Sequence, residues 1–178
     1  MNWMDNIYAL LNIFDYGNIL LFILSIYILW NKHKLLFYYI IGSFFNTILN
    51  VILKGIIKHP RPSEDINAFN LALSTGKRFI YKNGIPYDIF GMPSGHAQFC
   101  LYSTIFIYLS TKHVKLLYLY LFVSFFTMIQ RVVYNHHTIL QVMIGGVIGL
   151  LFGYLMYCMA RENIKGFIRE KMDDFGPI

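Results

Sequence analysis

Five stretches of this chain contain no Asp, Glu, Lys or Arg: residues 16–31, 35–53, 90–111, 116–130 and 138–160. A helix needs about 20 mostly apolar residues to cross the hydrocarbon of a bilayer, and inside it every backbone polar group must be satisfied within the segment. Runs of this length and spacing therefore leave few folds open. Composition agrees: hydrophobic residues make up 57% of the 178 and charged residues 13%, about half the charged share of a soluble domain. The sequence predicts an all-α, multi-pass transmembrane helix bundle of about five spans, with one long extramembrane loop.

Its organisation reads as an N-terminal interfacial segment at 1–15, a transmembrane domain at 16–160 and an amphipathic tail at 161–178. The tail places Ile164, Phe167 and Ile168 among Arg161, Lys165, Arg169 and Lys171, the pattern of a helix lying in the membrane interface. Both cysteines, Cys100 and Cys158, fall inside apolar runs, which argues against a disulfide scaffold. The excess of 15 basic over 9 acidic residues suits anionic lipid and positive cytoplasmic loops rather than nucleic acid. Lys32, Lys34, Lys112 and Lys115 crowd two tight loops on one side of the membrane, together with the tail. That side is predicted to be cytoplasmic, so residues 54–92 face the lumen or exterior.

Within the long connection at 55–92, Ile66, Phe69 and Leu73 suit one face of a short helix ending near Gly76. Lys58, Lys77, Arg78 and Lys82 read as solvated loop charges. On the last span Gly145, Gly149 and Gly153 recur every fourth residue. Such a stripe suits either close packing within the bundle, the preferred reading, or a homodimer.

Three polar segments fall on the predicted lumenal side. The first, Lys54-Gly-Ile-Ile-Lys-His-Pro-Arg61-Pro62, ends the second span; Pro93-Ser94-Gly95-His96 opens the third. Arg131-Val-Val-Tyr-Asn-His-His137 joins the fourth to the fifth, with Gln141 four residues on. Three cations at membrane depth are costly unless they serve a function, and together they suit phosphate oxygens, Arg as a planar fork and Lys as a point charge. Ser94 stands where a helix N-cap would, so Gly95 and His96 open a first turn whose N–H groups favour an anion. Two histidines can divide phosphoryl transfer between a nucleophile and a general acid without metal. His59, His96, His136 and His137 could suggest a metal site, but no carboxylate lies in these segments and two adjacent His do not easily share one ion. No metal or other cofactor is expected.

These motifs resemble the type 2 phosphatidic acid phosphatase superfamily, whose signature is K-x6-RP, PSGH and SR-x5-H-x3-D. The resemblance implies that His137 is the nucleophile and His96 the acid that protonates the leaving group. It implies phosphate binding by Lys54, Arg61, Ser94, Gly95 and Arg131. Gln130 stands in place of the family Ser, and Gln141 in place of the Asp that orients the nucleophile. Gly91-Met-Pro-Ser-Gly-His-Ala-Gln-Phe99, with Arg131-Val132, His137-Thr138, Gln141-Val142 and Gly145-Gly146, is similar to the dolichyl-diphosphatase branch, which carries Gln at that position. The resemblance implies a lipid phosphatase acting on a polyprenyl diphosphate from the membrane, in the endoplasmic reticulum if dolichyl-type and otherwise in the plasma membrane. Alternatives are a broader phosphatase for phosphatidate or undecaprenyl diphosphate, and a silent protein that binds lipid phosphates.

Overall fold

The computed structural model describes residues 3–82 and 84–167. Ile168, Arg169 and Lys171 of the expected interfacial tail lie outside the described residues. Helix α1 (Trp3–Ile13) runs through a short 3-10 turn (Phe14–Tyr16) into α2 (Gly17–Leu29), followed by α3 (His33–Ile57) and α4 (Ile66–Ser74). Strands β1 (Phe79–Lys82) and β2 (Ile85–Asp88) precede α5 (Gly95–Thr111), α6 (Val114–Val133) and α7 (Ile139–Phe167).

Among the described residues four helical stretches are long and apolar enough to cross a membrane: Tyr8–Leu29, His33–Ile57, Val114–Val133 and Ile139–Glu162. The first takes in part of the N-terminal segment. The fifth expected span, 90–111, becomes helical only at Gly95, because Pro93 lacks an N–H and disfavours helix in the residue before it. What remains, α5, has 17 residues and is about 25 Å long. It is the central helix, and the other spans pack round it. Tyr39, Tyr102, Phe106 and Tyr120 are fully buried there. The three tyrosine hydroxyls are satisfied: Tyr102 donates to the Tyr39 carbonyl at 2.7 Å, Tyr39 pairs with Ser103 Oγ at 2.8 Å and Tyr120 with Ser25 Oγ at 2.9 Å. In an apolar interior an unmet hydroxyl would cost several kcal/mol, about 2–7 depending on the reference. Phe37, Phe44, Phe125 and Leu151 face outward.

Helix α7 lies closest to α5, and glycine makes that possible. A Cβ on Gly149 would sit 2.0 Å from the Gln98 carbonyl oxygen, one on Gly145 2.5 Å from that of Ser94, and one on Gly153 2.7 Å from that of Tyr102. The stripe is thus packed against α5 of its own chain.

The ends of α3 and α6 and the starts of α2, α5 and α7 gather at one face of the bundle. At the opposite face Lys32 Nζ donates to the Ser110 carbonyl at 3.4 Å. Above the site face, α4 starts at Asp65, whose carboxylate accepts from the Asn67 N–H at 2.9 Å. It stops just before Gly76, which adopts φ +69. The remainder of the connection is an antiparallel hairpin with Phe79 opposite Asp88 and Lys82 opposite Ile85. The connection expected as a loop thus holds a hairpin, for which Asn83-Gly84 between apolar-rich runs is the sequence signal.

Candidate active site

The three polar segments meet. The Ser94 N–H donates to the Gln141 carbonyl at 3.0 Å, joining the start of α5 to that of α7. Asn50 on α3 donates to the Pro93 carbonyl at 3.2 Å. The His136 and His137 N–H groups both donate to the Arg131 carbonyl at 3.0 Å, closing the turn between α6 and α7. Gly91 N–H donates to the His59 carbonyl at 2.7 Å and Phe90 bridges Pro60, which ties the end of α3 to the segment before α5.

Gln141 is the hub. Its Oε1 accepts from the Thr138 N–H at 3.1 Å, and its Nε2 donates to the Pro60 carbonyl at 2.8 Å and to His59 Nδ1 at 2.9 Å. Those partners fix which end of the amide is which. His137 Nδ1, 3.2 Å from Oε1, must therefore be the protonated nitrogen, and Nε2 keeps its lone pair. Burial, with Arg61, Lys54 and Arg131 around it, holds the His137 pKa well below the ordinary histidine range. A buried ring beside three cations stays neutral, the state a nucleophile requires. Gly91 allows this crowding: a Cβ there would fall 2.8 Å from Gln141 Nε2 and 3.0 Å from Arg61 Cγ.

Each cation has a counterweight. Lys54, 7% exposed, lies 3.6 Å from Asp88 Oδ2. Arg78 binds the same carboxylate with two donors, Nε at 3.2 Å and Nη2 at 3.0 Å. Arg78 is thus not a solvated loop charge; the hairpin register delivers Asp88 beside it. Burial alone would raise the Asp88 pKa, but Arg78, Lys54 and the Phe90 N–H hold it below the ordinary carboxylate range. Arg61 lies 4.4 Å over the Tyr87 ring and donates from Nε to the Asp88 carbonyl at 3.0 Å, which sets the plane of its guanidinium. Arg131, also 7% exposed, pairs through Nη1 with Asp15 of the 3-10 turn. Asp15, Arg131 and Arg61 are charged neighbours of His96 as well.

Ser94 occupies the N-cap position of α5, but its side chain makes no capping bond. Its Oγ is buried and has no partner among the described residues, and the same holds for Arg131 Nε. Unmet buried donors at this face of the bundle suit an incoming acceptor, here an oxyanion. Gly95 touches Asn50, whose Oδ1 would lie 3.2 Å from an added Cβ. Lys54, Arg61, Ser94, Gly95, His96, Arg131, His137 and Gln141 are all at this face.

Asp15 and Asp88 were missed by sequence reasoning. Each belongs to a segment without a motif, and its basic partner is distant in sequence or was read as solvated. Among the described residues no three His, Cys, Asp or Glu side chains are grouped as ligands for a metal.

A match to the PAP2 superfamily runs over residues 32–165 and takes in every motif residue from Lys54 to Gln141. Dolichyldiphosphatase of Saccharomyces cerevisiae is 34% identical over 139 residues, 72% of this chain and 51% of the relative. The chain thus spans about half the length of the curated relative it matches. No solved structure is a significant match. With the family match covering three quarters of the sequence and all three motifs meeting at one face, the chain belongs to the PAP2 superfamily, in its dolichyldiphosphatase-like branch.

Proposed function

We propose that the chain is a membrane lipid phosphatase that hydrolyses a polyprenyl diphosphate of dolichyl type to the monophosphate and inorganic phosphate. The observation that carries this reading is the His137–Gln141 pair, a neutral imidazole with its Nδ1–H held at 3.2 Å beside three cations. His137 Nε2 attacks the terminal phosphorus as the P–O bond to the lipid monophosphate breaks, and His96 gives its proton to that leaving oxygen. Water then attacks the phosphohistidine, His96 takes its proton back, and phosphate leaves. Lys54, Arg61 and Arg131, with Ser94 and the Gly95 N–H, stabilise the charge on the equatorial oxygens. The name of the yeast relative supports the substrate, and the cluster of Lys32, Lys34, Lys112 and Lys115 opposite the site supports a lumenal active face, in the endoplasmic reticulum for a dolichyl-type substrate.

The test is phosphate release by detergent-purified protein in EDTA from dolichyl diphosphate, undecaprenyl diphosphate and phosphatidate. The expected result is release that favours dolichyl diphosphate and falls at least 1000-fold in His137→Ala, which remains folded. A folded wild-type protein that releases phosphate from none of the three refutes the reading. Preference for phosphatidate would replace the substrate while keeping the chemistry.

A further inference from the structure

Two cavities lie beside α2, and the smaller of them adjoins His96. One, of about 220 Å3, is lined by Asn46, Asn50, Gly95, His96 and Gln98. The other, of about 450 Å3, is an open groove walled by Ile19, Phe22, Ile40, Phe44 and Phe99. Asn18, Thr47 and Phe99 line both, so the polar cavity passes into the apolar groove at those residues.

The polar cavity has an unusual wall. Beyond His96, Gly95 and Phe99 it is built from carboxamides and a hydroxyl, with no Lys or Arg among its lining residues. Most of its donors are committed: Gln98 Nε2 to Asn46 Oδ1 at 2.8 Å, Asn50 Nδ2 to Gln98 Oε1 at 2.8 Å and Thr47 Oγ1 to the Ser43 carbonyl at 3.0 Å. Asn18, in the first turn of α2, differs. Its Oδ1 is buried and has no hydrogen-bond partner among the described residues. A half-turn of its amide about χ2 exchanges that oxygen for the NH2 group, so the same side chain can present a donor to a ligand.

The position of this cavity gives it a meaning that rests on the phosphatase reading above. A terminal phosphoryl group on His137 has its leaving oxygen at His96. In a diphosphate lipid a second phosphate follows that oxygen, and the tail follows the second phosphate. The cavity beyond His96 is polar and the groove beyond it apolar, in the order such a substrate requires. We propose that the cavity is a subsite for the second, retained phosphate, with Asn18 its adjustable donor, and that it makes the enzyme prefer lipid diphosphates to lipid monophosphates. The inner phosphate of a diphosphate ester carries a single negative charge. Neutral amides can hold it without the cation that would trap the monophosphate product.

The test compares an isoprenoid diphosphate with the monophosphate of the same tail, using full-length wild type, Asn18→Ala and the isosteric Asn18→Asp. Removing the amide is expected to lower the ratio of diphosphate to monophosphate kcat/KM about tenfold. Asn18→Asp, with a carboxylate facing the phosphate, is expected to lower it further, and thermal unfolding confirms that both variants are folded. Equal losses on both substrates, or an unchanged ratio, overturn the subsite and leave the phosphatase reading intact. A wild-type protein inactive on both lipids overturns the phosphatase reading itself.

Discussion

Alanine at Gly149 tests whether the contact of α7 with α5 positions the site. The added Cβ would lie 2.0 Å from the Gln98 carbonyl oxygen, 2.8 Å from its carbon and 3.0 Å from its Cα, where ordinary contact begins near 3.4 Å. All three atoms are backbone in the first turn of α5, so no rotamer relieves the overlap and the helices must part by about 1 Å. Overpacking of this kind costs typically 1–3 kcal/mol, and a clash with fixed backbone belongs at the upper end. Alanine returns about 1 kcal/mol of helix propensity, leaving a net loss of about 2 kcal/mol, or roughly 5 °C in a chain of this size. Catalysis should suffer more than stability. Helix α5 carries Ser94, Gly95 and His96, α7 carries Gln141, and the Ser94 N–H bond to the Gln141 carbonyl spans the same interface at 3.0 Å. A displacement of about 1 Å between reacting groups can cost on the order of 100-fold in rate. Gly146→Ala is the control: its Cβ would meet Leu101 Cδ1 at 2.7 Å, the end of a flexible side chain that can move. Thermal unfolding and phosphate release measured in one detergent distinguish the two variants. If Gly149→Ala matches wild type in both, or Gly146→Ala is equally damaged, the close helix contact does not set the site.

Two further substitutions probe its electrostatics. Asp88→Asn removes the carboxylate shared by Lys54 and Arg78 and should destabilise the protein by roughly 1–3 kcal/mol, with KM raised because Lys54 loses its hold; unchanged KM and unfolding temperature would refute the pairing. In the wild type the depressed Asp88 pKa makes its contribution fully present above the unfolded value of about 3.9 and lost as pH falls through the folded value, so the stability difference between wild type and Asp88→Asn should shrink in acid. Gln141→Glu keeps an acceptor for His137 but sets an oxygen against the Pro60 carbonyl, now 2.8 Å from Nε2. A fall in kcat/KM of about ten- to 100-fold is expected, and full activity would show that anchoring Pro60 is irrelevant.

The motifs were legible because their spacing is local: Lys54 and Arg61 flank the end of one helix, and Arg131 and His137 flank one turn. Hydropathy placed the long helices in order for the same reason, although it counted five spans where four stretches among the described residues are long and apolar enough. What it could not give was where α5 begins, since Phe90, Gly91 and Pro93 are apolar or small yet are spent on the strand-like approach to the site. Ile66, Phe69 and Leu73 announced α4 by their period, whereas the hairpin at 79–88 announced itself only through Asn83-Gly84. Asp15, 116 residues before Arg131, leaves no local trace of its pairing. The same is true of Gln141 and Pro60, whose bond exists only once α3 and α7 have packed.

The distant carboxylates also explain how a neutral residue can stand at 141. Lys54 and Arg131 are each 7% exposed, and a buried cation needs a counter-charge to be tolerated. Asp88 supplies it for Lys54 and Arg78, and Asp15 supplies it for Arg131. Among Lys54, Arg61, Arg78, Arg131, Asp15 and Asp88, four positive charges then face two negative ones. The remaining excess of two matches a phosphate dianion. An Asp at 141 would remove one unit of that excess from beside the nucleophile and would put an acceptor where Pro60 needs a donor. Gln141 costs His137 a charged partner, but it fixes the same tautomer, keeps the field positive for phosphate and pins the Arg61 segment with its other end.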